Sequence, residues 1–109
     1  MDDVLAKAAD LGRAIRATEK YRALRDAEAA VMKSPDSVKL AEALATLQGE
    51  RSAAAAGKKP PEKGLEDRYG KIAAAVALDP RLVQLSKAQQ EFQALVNDVS
   101  RTMLAQLKA

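Results

Sequence analysis

The sequence predicts an all-α protein with four helices, at about residues 3–33, 35–56, 62–78 and 80–108. Three observations support this class. Apolar residues recur at alternating spacings of three and four, which places them on one face of a helix. Hydrophobic residues form 48% of the chain but aromatic residues only 3%, and much of the remainder is alanine, the strongest helix former. Proline follows a capping residue at two points, where it favours the first turn of a helix.

The last predicted helix carries the clearest pattern. It begins at Asp79-Pro80 and contains no further helix breaker, so a helix of about 28 residues, roughly 42 Å long, is expected. Its apolar stripe consists of Leu85, Ala88, Phe92, Leu95, Val99 and Met103, widened by Val96 and Leu107. A single stripe cannot be buried against itself, so this helix needs other helices as partners.

The other three predicted helices are delimited by charge, proline and glycine. Asp2 or Asp3 caps the first helix, whose stripe begins with Val4, Ala8, Leu11 and Ile15. Ser34-Pro35 starts the second. Residues 57–64 form an internal loop before the third, because two adjacent prolines between glycines cannot continue a helix. We expect one helical domain over residues 1–109, with a thin core because alanine buries little area.

The composition argues against an enzyme. The chain has no cysteine and no histidine, which excludes disulfides, thiolate catalysis and the commonest general base and metal ligand. No Glu-x-x-His pair and no glycine-rich phosphate loop occurs. We therefore expect no catalytic, cofactor-binding or metal-binding residues. No apolar run approaches the roughly 20 residues that span a bilayer, and no signal-peptide pattern is found, so a cytoplasmic protein without a membrane partner is expected.

A basic stripe on the first predicted helix is the main charged feature. The net charge is only +3, and Arg13, Arg16 and Lys20 lie within about 60° of one another on a helix. The stripe is either a docking site for phosphates or an acidic partner, or a solvated surface, and the nearby acidic residues favour the second interpretation. The same holds for the loop lysines Lys58, Lys59 and Lys63. Nucleic acid is not the expected partner, because the few aromatic residues fall on apolar stripes.

The apolar stripes are therefore the predicted functional surface. The candidate interface or core residues are Val4, Leu11, Ile15, Phe92, Leu95, Val99, Met103 and Leu107. The favoured hypothesis is a non-enzymatic regulatory or adaptor protein that binds itself and a protein partner through helix faces. A nucleic-acid-binding accessory protein that uses the basic stripe, and a purely structural subunit of a larger assembly, are the alternatives.

The order and spacing of these positions resemble the YlbF/YmcA family of small bacterial helical regulators. The resemblance begins with Val4-Leu5, Leu11-Gly12, Ile15 and Glu19-Lys20-Tyr21, and it is strongest at Asp79-Pro80, Val83, Leu85, Ala88-Gln89, Phe92, Leu95 and 99–107. It implies long first and last helices packed antiparallel, commonly in dimers, and a regulatory role without catalysis.

The resemblance also implies a pathway. Some members of this family act in a complex that adjusts messenger-RNA processing by ribonuclease Y, and thereby competence, sporulation and biofilm formation. Those members carry cysteines that bind iron–sulfur clusters, whereas this sequence has none. A homodimer, an unidentified protein partner and a ribonuclease complex are thus the expected partners, and no cofactor is expected.

Overall fold

The chain forms five α-helices in the computed structural model, which describes residues 2–58, 60 and 62–108. The helices are α1 (Asp2–Arg16), α2 (Glu19–Met32), α3 (Pro35–Ala55), α4 (Leu65–Leu78) and α5 (Pro80–Gln106). The predicted all-α class is confirmed, and no strand occurs among these residues. The predicted number of four helices is wrong. Predictions that fall on Met1, Lys59, Pro61 and Ala109 lie outside the described residues.

The first predicted helix, at 3–33, is two helices because Thr18 ends one and begins the next. Its hydroxyl donates to the Ile15 carbonyl at 2.7 Å, and its backbone N–H donates to the same carbonyl at 3.1 Å, so both bonds close the last turn of α1. The same oxygen accepts the Tyr21 backbone N–H at 3.2 Å, which is the bond of an N-cap. The chain therefore starts a new helix at Glu19.

The α2–α3 junction follows the predicted proline rule. Ser34 is extended, with φ −113° and ψ 102°, and its side chain accepts the Ser37 backbone N–H at 3.3 Å. Pro35 occupies the first helical position, where its missing N–H costs nothing. The helix ends at Ala55, one residue before the predicted end.

The helix α4 begins three residues later than predicted, directly after the predicted loop 57–64. Gly64 has φ +84°, a left-handed backbone conformation that glycine adopts without strain. It separates the preceding residues from α4, so the helix begins at Leu65 rather than at residue 62. Gly57, also at positive φ, follows the end of α3.

A single extended residue separates α4 from α5. Asp79 has φ −83° and ψ 114°, and its Oδ1 accepts the backbone N–H groups of Arg81 at 3.0 Å and Leu82 at 3.1 Å. Both proline junctions are thus complete breaks between two helices, not kinks in one. The fifth helix runs over 27 residues, close to the predicted length.

The described residues group into two compact units, which we describe separately. The first unit comprises residues 2–28 and 85–108; Ala27 and Ala88 are buried in it, and the Tyr21 and Phe92 rings lie 5.7 Å apart. The second unit comprises residues 29–84, in which α3 packs against α4. Its buried residues are Val31, Ser37, Leu47, Leu65 and Leu82. The buried residues of the first unit are both alanines, so its core is thin, whereas leucine and valine form most of the buried set of the second unit. A single domain over the whole chain stays a prediction.

Candidate protein-interaction site

The first unit leaves a group of large apolar side chains open to solvent. None of the residues of α1 is buried; Val4 is 68% exposed and Leu5 64%. Near the end of α5, Leu107 is 80% exposed, and Met103 and Leu104 are more than half exposed. We call these five residues the docking face: Val4, Leu5, Met103, Leu104 and Leu107. An uncovered set of large apolar residues is typical of a protein–protein contact.

The predicted interface residues divide into two groups. Leu11, Ile15, Phe92, Leu95 and Val99 are half-buried, so they contribute to packing in the first unit. Val4, Met103 and Leu107 are exposed and belong to the docking face. Whether any of the eight contacts a partner stays a prediction.

Leu5 and Leu104 of the docking face were not among the predicted site residues. Each lies about 100° around its helix from a predicted neighbour, Val4 or Met103, because each follows that neighbour directly in the chain. They widen the apolar surface beyond the narrow stripe that spacings of three and four define. The signal that would have identified them is the pair of adjacent apolar residues at the start of the first helix and near the end of the last helix.

The basic stripe does not lie on one helix. Arg13 and Arg16 are on α1, whereas Lys20 is on α2, beyond the break at Thr18. Arg13 pairs with Asp10, and the Lys20 Nζ lies 3.3 Å from Glu91 Oε2 on α5. Two of the three basic side chains therefore have acidic partners within the first unit. These partners reduce the positive charge that the stripe could offer to a phosphate group. The loop lysine Lys59 lies outside the described residues.

A cleft between α3 and α4, in the second unit, was not predicted. It is open to solvent, has a volume of about 770 Å³ and includes Gln48, Arg51, Ser52, Leu65, Glu66 and Tyr69 in its lining. The Arg51 guanidinium lies 4.0 Å from the centre of the Tyr69 ring, a cation–π contact. Its Nε donates to Glu66 Oε1 at 3.0 Å, and this hydrogen bond raises the pKa of Arg51. No short-range sequence signal reveals this cleft, because it depends on how two helices pack.

A second set of charges joins the same two helices. Arg68 Nη2 on α4 lies 3.2 Å from Glu62 Oε2 and 3.7 Å from Glu50 Oε2 on α3. The Glu50 oxygen is itself buried and has no hydrogen-bond partner among the described residues. Together with the Arg51–Glu66 pair, these contacts favour one register of α3 against α4.

Side chains also connect the two proline junctions of the second unit. The fully buried Ser37 hydroxyl donates to Asp79 Oδ2 at 2.9 Å. The Leu82 backbone N–H and this hydroxyl together lower the pKa of Asp79 below its ordinary value of 3.8. The arrangement is structural, since Asp79 uses both carboxylate oxygens to hold the starts of α3 and α5.

The described residues contain no cluster of three or more histidine, cysteine, aspartate or glutamate side chains that could hold a metal ion. Over the same part of the chain, no helix is long and apolar enough to cross a membrane. Five of the eight exposed large apolar side chains found among the described residues belong to the docking face.

The described residues form an all-helical fold with an exposed apolar surface at the start of α1 and the end of α5. The sequence pattern of the YlbF/YmcA family, described as control of competence regulator ComK, matches residues 4–108. The chain therefore belongs to this regulatory family, and the resemblance found in the sequence is confirmed.

Among solved structures, the chain is similar to Bacillus subtilis RicA, crystallised in complex with RicF. The TM-score is 0.80 over 97% of this chain and 94% of that one, at 12% sequence identity. This likeness shows the fold. None of the curated protein sequences compared is a significant match.

Proposed function

We propose that this protein is a non-enzymatic adaptor of its regulatory family. It binds a second copy of itself and a different protein partner through helix faces of the first unit, and the docking face forms the centre of these contacts. The proposed partner complex contains a ribonuclease, as the family resemblance implies, so that the protein acts on messenger-RNA processing without catalysing it.

The observation that carries this proposal is the exposure of the docking face. Its five large apolar side chains are about half to four-fifths exposed, while the buried residues of the same unit are mainly alanines. Burying one such side chain contributes roughly 1.5–3 kcal/mol relative to leaving it in water. Five of them supply a gross gain comparable to the several kcal/mol that association costs, so a partner surface is the natural way to cover them.

Two further observations support a protein partner. RicA, the similar structure, was crystallised in complex with another protein, RicF. In addition, two residues of the basic stripe are paired with acidic side chains, which favours an apolar contact over a phosphate-binding one. The half-buried residues Phe92, Leu95 and Val99 would position α5 for this contact.

Affinity purification from native extract, with and without nuclease, tests the adaptor role. We compare the wild-type chain with Leu104→Lys, which places a charge in the docking face, and with Leu78→Lys as a matched control. Leu78 is 83% exposed and lies at the end of α4 in the second unit, away from the docking face in sequence. Each residue lies near the carboxyl end of a helix, where a positive charge is tolerated.

The proposal predicts a specific protein that survives nuclease, is retained by Leu78→Lys and is lost with Leu104→Lys. A ribonuclease among the retained proteins would support the proposed pathway. Partners that disappear with nuclease, or that both variants retain equally, would contradict the proposal. Loss with nuclease together with a steep dependence on salt would instead favour the nucleic-acid alternative.

A further inference from the structure

Arg51 in the α3–α4 cleft is held by Tyr69 and Glu66, but only part of its guanidinium group is hydrogen-bonded to a carboxylate. The cation–π contact holds the guanidinium over the Tyr69 ring, and the hydrogen bond from Nε to Glu66 Oε1 fixes a second point of the group. Among the described residues, Nε supplies the only hydrogen bond from Arg51 to a carboxylate. The opposite edge of the group, formed by Nη1 and Nη2, is therefore not engaged by a carboxylate.

Arg51 lines the α3–α4 cleft, which has a size and an access that suit a small ligand. The cleft has a volume of about 770 Å³, within the range of small-molecule sites, and the Arg51 side chain is 41% exposed. Two parallel N–H groups match the two oxygens of a carboxylate or phosphate group. The exposed Gln48 and Ser52, on the same helix and in the same lining, supply further hydrogen-bond donors.

We propose that the α3–α4 cleft binds a small oxyanion, a carboxylate or a phosphate group, through the Nη1–Nη2 edge of Arg51. The site lies in the second unit and does not depend on the proposed adaptor function. The cation–π contact with Tyr69 limits the motion of the Arg51 side chain, so less conformational freedom is lost when an anion binds.

Glu66 has two opposing effects in this site. Its carboxylate orients Arg51, but its negative charge also repels an incoming anion. The carboxylate is largely exposed, so solvent reduces but does not remove the repulsion. Replacing it by the neutral Gln keeps a hydrogen-bond acceptor and removes the repulsion. If the Arg51–Glu66 pair only joined the two helices, Glu66→Gln would not bind an anion more tightly than the wild type.

The test is an NMR titration of the ¹⁵N-labelled full chain with inorganic phosphate and, separately, with succinate. The signals followed are the Arg51 Nε–H and the backbone amides of Ser52 and Glu66. The variants are Arg51→Gln, Arg51→Lys and Glu66→Gln, with Arg25→Gln as the matched control. Arg25 is an exposed arginine on α2 that pairs with Glu28 and does not line the cleft.

We expect saturable shifts with at least one of the two anions, and the anion that binds identifies the chemical group. Both Arg51 variants should weaken binding at least tenfold, since lysine keeps the charge but lacks the paired N–H groups. Glu66→Gln should tighten binding, and Arg25→Gln should leave it unchanged. Absence of saturable binding to both anions, or equal loss in Arg51→Lys and Arg25→Gln, would overturn the proposal. Circular dichroism of each variant checks folding, and Glu66→Gln gives a second test that does not remove Arg51.

Discussion

At the scale of single residues, the hydrogen bond between Ser37 and Asp79 is the least predictable feature of the fold. The sequence indicates that Ser34 and Asp79 cap helices, because each precedes a proline, and the structure shows both caps. The bond from the fully buried Ser37 hydroxyl crosses 42 residues of sequence. Local pattern carries no information about such a contact, since it arises only after the two junctions meet in the second unit.

Ser37→Ala should therefore destabilise the protein. The variant removes a buried donor to a carboxylate, and we expect the free energy of unfolding to fall by about 1–2 kcal/mol. Urea denaturation followed by circular dichroism measures this change. Ser86→Ala, which removes an exposed serine from α5, is the matched control and should change the free energy by less than about 0.5 kcal/mol. If the two variants change the free energy of unfolding equally, the hydrogen bond of the Ser37 hydroxyl does not stabilise the fold.

Asp79 should make stability depend on pH in the acid range. Its pKa is lowered in the folded state, so the unfolded chain takes up the proton first as the pH falls. The stability contributed by the carboxylate is complete well above pH 3.8 and is lost as the pH falls through the lowered value. Urea midpoints measured between neutral pH and about pH 2 should fall less steeply in Asp79→Asn than in the wild type. Parallel pH profiles would exclude this role of Asp79.

At the scale of helices, the boundaries at proline were predictable and the break at Thr18 was not identified. The capping residue and proline at 34–35 and 79–80 placed the starts of α3 and α5 correctly. Thr18-Glu19 carries a weaker signal, a capping residue followed by an acidic first turn, within a region whose apolar spacing remains almost continuous. The start of α4 at Leu65 was placed three residues too early, because the sequence alone does not show that Gly64 adopts a positive φ directly before the helix.

The Thr18 hydroxyl should stabilise the start of α2. We expect Thr18→Ala to lower the free energy of unfolding by about 0.5–2 kcal/mol through loss of the N-cap, and Thr18→Ser to restore most of it. Thr102→Ala is the control, because the Thr102 hydroxyl bonds back to the Asp98 carbonyl inside α5 and caps nothing. Thermal unfolding of the three variants checks this, and a Thr18→Ala protein as stable as the wild type would contradict the capping role.

At the scale of the whole molecule, the sequence was sufficient for the all-α class and the family but not for the α3–α4 cleft. The periodicity of apolar residues predicts the all-α class, and their order along the chain predicts the family. Neither prediction requires knowledge of how the helices pack. Arg51 and Tyr69 come from two different helices, and their contact requires the register in which α3 packs on α4. The docking face was predicted in part, through Val4, Met103 and Leu107, because exposure cannot be read from periodicity alone.

The mass of the protein in solution tests whether it associates with itself through the docking face. Sedimentation velocity over a range of concentrations would compare the wild type with the double variant Leu104→Lys/Leu107→Lys and with the control Leu78→Lys. We expect a dimer for the wild type and the control, and a folded monomer for the double variant, because two charges would lie in the buried contact. A wild-type monomer at all concentrations, or a dimer in all three proteins, would contradict self-association through the docking face.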